Sequence, residues 1–170
     1  MNHIILDMDG TLIGTDNLEK IIPRPYLEEF FLFCFKNFVS VSIWTAAKKE
    51  WYDEVNKEVF EPILVKHNLN FRFVWYKDKC TIRRDLLICK KYYIKNLKKV
   101  WNTYTDMTNE NTIIVDDNIL SYVDNRGNAV EIKSFINEET DNELKNMIKR
   151  LYLFKDVKNV LKYDLNLYLK

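Results

Sequence analysis

"HIILDMDGTLIG", residues 3–14, sets the apolar run Ile4-Ile5-Leu6 directly against two carboxylates, Asp7 and Asp9, with Gly10 behind them. A β-branched, aliphatic run of this length reads as a fully buried strand. Ending such a strand in two acids is costly, because each carboxylate raises the other's pKa and both lose hydration. Either a bound cation or a basic side chain from elsewhere in the fold must neutralise them. Asp-x-Asp-Gly also opens calcium loops, but an EF-hand needs glycine at its sixth position and glutamate at its twelfth, where this chain has Leu12 and Leu18. A turn alone would suit the aspartates and Gly10. A chemical reading suits them better: one carboxylate attacks phosphorus while the second, two residues on, handles protons. Gly10 permits the sharp turn that keeps both at one rim.

The strand-then-acid pattern returns in "TIIVDDN", residues 112–118, which ends in Asp116 and Asp117. Residues 38–44, 71–75 and 128–132 read as further strands. Helices are expected at 25–35, at 46–68 with a break or bend at Pro62, around 85–101, at 137–154, and briefly at 156–163. Alternating strands and helices imply a central parallel sheet with helices on both faces, so the expected fold is α/β, a Rossmann-like three-layer α/β/α sandwich. Ligands of such sheets bind outside the carboxyl ends of the strands, where Asp7, Asp9, Thr45, Asp116 and Asp117 all fall. Carboxylates from two strand ends suit the oxygen-loving, octahedral Mg2+. Thr45 has a second reading as N-cap of a helix starting at Ala46, and a helix N-terminus with a hydroxyl also favours phosphate. By spacing alone, Lys95 is one lysine among many on a solvated helix face.

A chain of 170 residues fits one domain, 1–170, able to bury a full core. Three glycines and three prolines leave no room for a long flexible linker. A net charge of +1 gives no bulk electrostatic reason to expect a nucleic-acid or anionic-membrane partner. "KKYYIKNLKK", residues 90–99, interleaves lysine with tyrosine and is the stretch that points towards nucleic acid. Cys34, Cys80 and Cys89 are odd in number and lack a Cys-x-x-Cys spacing, as expected of free thiols in a reducing compartment. His3 and His67 have no zinc-ligand spacing. The polar Asn2-His3 leads straight into the first strand, and no stretch approaches a membrane span. The expectation is a soluble intracellular protein, cytoplasmic or nuclear.

Taken in order, Asp7-Met-Asp9-Gly-Thr11, "RPYLEEF", "SIWTAA" with Thr45, "YYIKNL" with Lys95, "IIVDDNILSYV" and "GNAVEI" resemble the haloacid dehalogenase superfamily. More narrowly, they resemble its small C-terminal-domain phosphatase branch, the FCP/SCP or NLI-interacting-factor-like group. The resemblance runs from residue 3 to about 160, and "RP…EF" with "WTA" match at the level of the branch.

The resemblance implies a HAD-like fold without a large cap domain, and roles for particular residues. Asp7 would attack phosphorus and form an aspartyl-phosphate, while Asp9 would protonate the leaving oxygen and then activate water. Mg2+ would be held by Asp7, by the backbone carbonyl of Asp9, and by Asp116 and Asp117. Thr45, Ala46 and Lys95 would bind phosphate, with Lys95 also offsetting the crowded carboxylates. On that view the opening acids have both neutralisers.

Three features depart from the branch. Asp117 stands where asparagine is common, which adds a negative charge. Lys77 stands where relatives carry a substrate-contacting arginine, keeping the charge but losing the fork. Only "IGTDNLEKII" joins the first motif to the Arg-Pro helix, in place of the β-rich insert that shapes a phosphoserine-proline pocket, so an open site is expected. The expected activity is a Mg2+-dependent phosphomonoesterase acting on phosphorylated protein or peptide. A polynucleotide 3′-phosphatase on the same fold and a catalytically inactive scaffold are the alternatives.

Overall fold

The computed structural model describes residues 2–18, 20–85 and 90–167. A five-stranded parallel sheet is built from β1 (His3–Leu6), β4 (Ser40–Trp44), β5 (Val74–Trp75), β8 (Thr112–Asp116) and β9 (Ala129–Glu131), in the spatial order β5-β4-β1-β8-β9. The chain steps outward from β1 through β4 to β5, then crosses back over β1 to β8 and β9. The order therefore reverses between β1 and β8, and their carboxyl ends diverge into a crevice there.

Successive residues of β1 face opposite sides of the sheet. Ile4 and Leu6 pack into a core with α1 (Leu27–Asn37), the helical segment 49–67 and α5 (Glu143–Phe154), through Phe30, Phe31, Phe60 and Met147. Ile5 packs on the other face with Trp44, Ile114, and Leu97 and Val100 at α4 (Lys98–Thr103). This is the expected three-layer α/β/α sandwich, with the heavier helical layer on the α1/α5 side.

Several elements differ from their expectation. The segment read as a bare connector forms a small antiparallel hairpin of β2 (Ile13–Thr15) and β3 (Ile21–Pro23). The long helix starts at Lys49, not Ala46, running as α2 (Lys49–Val55), a π turn (Asn56–Phe60) and α3 (Glu61–His67). Pro62 brings no break: the preceding turn widens, Glu61 N–H reaches Asn56 O five residues back, and the helix continues.

The largest correction falls at 85–101. An antiparallel hairpin of β6 (Thr81–Asp85) and β7 (Lys90–Ile94) replaces most of the expected helix, which survives only as α4. Tyr92, Tyr93 and Ile94 are good strand residues, and cross-strand pairing outweighs the helical preference of the lysines. Helix α5 is shorter than expected because residues 137–142 form no helix, with Asn137 left-handed and a turn at 139–140, and 156–163 holds only the single turn Val160–Lys162. Cys34 and Cys80 are free, buried thiols, whereas Cys89 and the expected helical residues 86–88 lie outside the described residues. No described helix is long and apolar enough to cross a membrane.

Candidate active site

Asp7 directly follows β1, and its N–H donates to Val115 O at 2.9 Å, carrying the β1–β8 pairing one residue past the strand. Its side chain therefore emerges at the crevice, yet the residue is only 6% exposed. The next residues fold back sharply, with the N–H groups of Leu12 and Ile13 donating to Met8 O at 2.8 and 3.2 Å. Gly10 makes this turn at φ +77°, and a Cβ there would lie 2.4 Å from Asp117 Oδ2. Only glycine fits both the backbone and the space.

The role of "RPYLEEF" becomes clear at this loop. Arg24, 1% exposed, donates to the carbonyls of Gly10, Thr11 and Lys133 and makes a two-pronged pair with Asp141, at 2.9 and 2.8 Å. The guanidinium thereby clamps the loop that carries Asp9 to the segment before α5. Such a fork is geometry that lysine cannot reproduce.

Lys95 leaves the end of β7, where its own N–H donates to Ser121 O. Its ammonium, almost wholly buried, touches Asp7 Oδ1 and donates to Asp116 Oδ2 at 2.7 Å. The other Asp116 oxygen accepts the Asn118 N–H at 2.9 Å. Thr11 Oγ1 lies 3.4 Å from both Asp7 Oδ2 and Asp117 Oδ1. Burial pushes the Asp7 carboxyl well above the usual range; Lys95 pulls it down, Asp116 pushes it up, and burial prevails. Burial pulls Lys95 down, but its two carboxylate partners outweigh that and hold it above its ordinary value.

Asp7, Asp116 and Asp117 each place a carboxylate oxygen within 4.8 Å of the others. One ammonium set against three carboxylates leaves two negative charges unmatched when all three are ionised. The donors are all hard oxygens, so this set fits a divalent, oxygen-loving cation such as Mg2+.

Asp9 differs from Asp7 in being exposed on the rim. Trp51 Nε1 donates to its Oδ1 at 2.7 Å, and Thr45 Oγ1 donates to its Oδ2 at 3.3 Å. Thr45 does not cap the helix, which begins four residues later; its oxygen accepts the Ala47 N–H at 2.9 Å. Asp7, Asp9, Ala46, Lys95, Asp116 and Asp117 line one cleft of about 290 Å3, with Lys91, Tyr92 and Tyr93 of β7 on its wall. Lys77 is not on the lining: its ammonium sits 4.2 Å from the centre of the Tyr93 ring. Trp51 and the β7 wall were not foreseen. An indole two turns of chain past Thr45 carries no motif signal, and the wall follows from the unexpected hairpin.

The family model for NLI interacting factor-like phosphatase matches residues 2–161. The chain belongs to that family. It lies in the FCP/SCP branch of the haloacid dehalogenase superfamily and has the HAD-like fold. It is 29% identical over an alignment of 186 positions to a putative CTD phosphatase-like protein of Invertebrate iridescent virus 6, covering 94% of this chain and 98% of that one. It is 28% identical over 155 residues to the ubiquitin-like domain-containing CTD phosphatase 1 of Danio rerio, covering 83% of this chain and 46% of the relative. This member of the family thus spans about half the length of the vertebrate relatives it matches. Among solved structures, Fcp1, an RNA polymerase II CTD phosphatase, superposes with a TM-score of 0.54 at 16% identity, covering 95% of this chain and 52% of that one. At that identity the likeness speaks for the fold alone.

Proposed function

We propose that this member of the family is a Mg2+-dependent phosphomonoesterase that works through an aspartyl-phosphate on Asp7 and acts on phosphorylated protein. The observation that carries the reading is the division of labour between two carboxylates two residues apart. Asp7 is buried against Lys95 at the crevice, and Asp9 is exposed and held by Trp51 and Thr45. A nucleophile must stay ionised and fixed, whereas a proton carrier must reach both the leaving group and water.

An Asp7 oxygen bonds to phosphorus as the bond from phosphorus to the substrate oxygen breaks. Asp9 gives its proton to that departing oxygen. Asp9, now a carboxylate, takes a proton from water, whose oxygen bonds to phosphorus while the phosphorus–Asp7 bond breaks. Phosphate leaves, and both aspartates return to their starting state. Lys95 favours the ionised form of Asp7, opposing part of the pull of burial, and offsets charge on the phosphate. The Ala46 backbone, on the cleft lining, and the Thr45 hydroxyl, hydrogen-bonded to Asp9, are the groups to bind phosphate oxygens. Asp7, Asp116, Asp117 and the Asp9 carbonyl are the groups to hold Mg2+, which when bound supplies positive charge opposite the phosphate oxygens.

The test is release of phosphate from p-nitrophenyl phosphate with and without Mg2+, for wild type and Asp7→Asn. Mg2+-dependent turnover that the substitution abolishes is the expected result. A folded, Mg2+-binding wild type with no turnover would overturn the reading in favour of an inactive scaffold.

A further inference from the structure

Strands β6 and β7 set Arg84 directly opposite Lys91. Cross-strand partners lie on one face of a hairpin, and like charges placed opposite each other destabilise the pair. The neighbouring pair on that same face is Ile82 opposite Tyr93. The Tyr93 ring already carries the Lys77 ammonium, so three cationic residues gather about one face of this hairpin. Arg83, on the opposite face, is matched by Asp124 at 3.0 Å. The ion pairs between described side chains include neither Arg84 nor Lys91.

Part of this face borders the active-site cleft. Lys91 and Tyr93 line the cleft that holds Asp7 and Asp9. One wall of the cleft is therefore cationic and aromatic, while its floor and far rim carry carboxylates. A substrate phosphate bound at Asp7 would share its cleft with Lys91, whose cross-strand neighbour is Arg84.

We propose that the Arg84–Lys91 face of the β6–β7 hairpin is a second anion subsite, which takes a further phosphate or acidic side chain on the same phosphorylated polypeptide. The proposal rests on the phosphatase reading of the cleft and adds the class of substrate it prefers. A peptide bearing two nearby anions relieves the repulsion between Arg84 and Lys91, and the hydrogen bonds it forms are charge-assisted. A polynucleotide fits this face less well. It would need a continuous basic track, whereas here Lys91 alone of the opposed pair lines the cleft, and it shares that lining with Asp9 and Asp117. Tyr93, on the same face, offers a flat ring beside the subsite and suits a peptide backbone as well as a base.

The test is equilibrium binding to the Asp7→Asn protein, which keeps the cleft while stopping turnover. The probes are fluorescein-labelled synthetic peptides with no, one or two phosphoserines, the two spaced two or three residues apart, and an oligodeoxynucleotide with a 3′-phosphate. The expected result is that the second phosphate tightens binding about tenfold over the single one. That advantage should shrink to about twofold when Arg84→Gln and Lys91→Gln are added, and to an intermediate value with Lys91→Gln alone. Both side chains are exposed, so folding is retained and far-ultraviolet circular dichroism verifies it.

Equal binding of the two phosphopeptides, or an advantage that survives both substitutions, overturns the proposal. So does an oligonucleotide that binds more tightly than the doubly phosphorylated peptide and loses affinity with the same substitutions. Because the readout is binding, it decides the subsite even if wild type proves inactive on p-nitrophenyl phosphate. Failure of the subsite and failure of the phosphatase reading are thus separate results.

Discussion

The indole N–H of Trp51 donates to Asp9 Oδ1 at 2.7 Å, joining the first turn of helix α2 to the loop after β1 across 42 residues of chain. Thr45 engages the other oxygen of the same carboxylate. An exposed aspartate with two fixed donors is aimed, and aim matters most when the leaving group needs a proton. Trp51→Phe keeps the ring and removes the donor. Turnover of a phosphoserine peptide should fall about tenfold. p-Nitrophenyl phosphate, whose leaving group departs without much protonation, should lose less. Equal losses on both substrates would mean that Trp51 acts on something other than proton delivery.

Lys95 is shared between two buried acids, so its loss leaves charge with no counterpart. Lys95→Met should lower the unfolding free energy by about 3–5 kcal/mol at neutral pH, read from urea titration with the metal chelated. The variant should also show a tell-tale pH dependence. Asp7 is already held above its unfolded pKa by burial, and Lys95 is the main group pulling it down. A carboxyl raised in the folded state contributes stability below its unfolded pKa and loses it as pH rises through the folded value. The urea midpoint of Lys95→Met should therefore climb on acidification from pH 8 towards pH 5. A flat profile would contradict the assignment of the charge deficit to Asp7 and Asp116.

The strand ends, the sheet and the acids were legible because each is a local signal: an apolar run, then a carboxylate. Lys95 was not, because its partners lie 88 and 21 residues away and nothing around it in sequence marks it. The family resemblance supplied it, and the geometry gives the reason. The β6–β7 hairpin was hidden for a related cause. Lys90-Lys91-Tyr92-Tyr93-Ile94 has neither the two-residue alternation of a half-buried strand nor a helical stripe. Its stabilising partner is another strand, and one of its faces belongs to the cleft rather than to the core. Arg24 shows the same limit: "RP" marks the branch, but its acid, Asp141, comes 117 residues later.

That pair makes an acid-stability prediction. Burial pushes Asp141 up, but the Arg24 guanidinium and the Glu143 N–H outweigh it and leave the carboxyl below its ordinary value. A depressed acid contributes stability above its unfolded pKa, near 4, and loses it as pH falls through the lower folded value. Asp141→Asn should therefore be destabilised at pH 7, by about 3 kcal/mol as for one partner of a buried pair. The gap from wild type should close as pH falls below 4. Denaturant titrations of both proteins between pH 7 and pH 3 check it, and a gap that stays constant would remove the ion pair as its source.

Asp117 tests the metal reading most cleanly, because asparagine keeps its shape and one oxygen while removing one charge. Its Oδ2 lies where a Gly10 side chain would be, and its Oδ1 faces the Thr11 hydroxyl, so the amide has room to sit in the same place. If Asp117 completes the acidic triad around Mg2+, Asp117→Asn should weaken Mg2+ binding about tenfold, since affinity for hard cations follows the charge of the ligand set. Inorganic phosphate should bind more tightly, because one carboxylate fewer opposes it at the rim. The two effects carry opposite signs and come from one substitution, so a general loosening of the site cannot imitate them. Calorimetric titration with Mg2+ and then with phosphate reads both. Unchanged Mg2+ affinity would take Asp117 out of the ligand set and leave Asp7 and Asp116 to hold the metal.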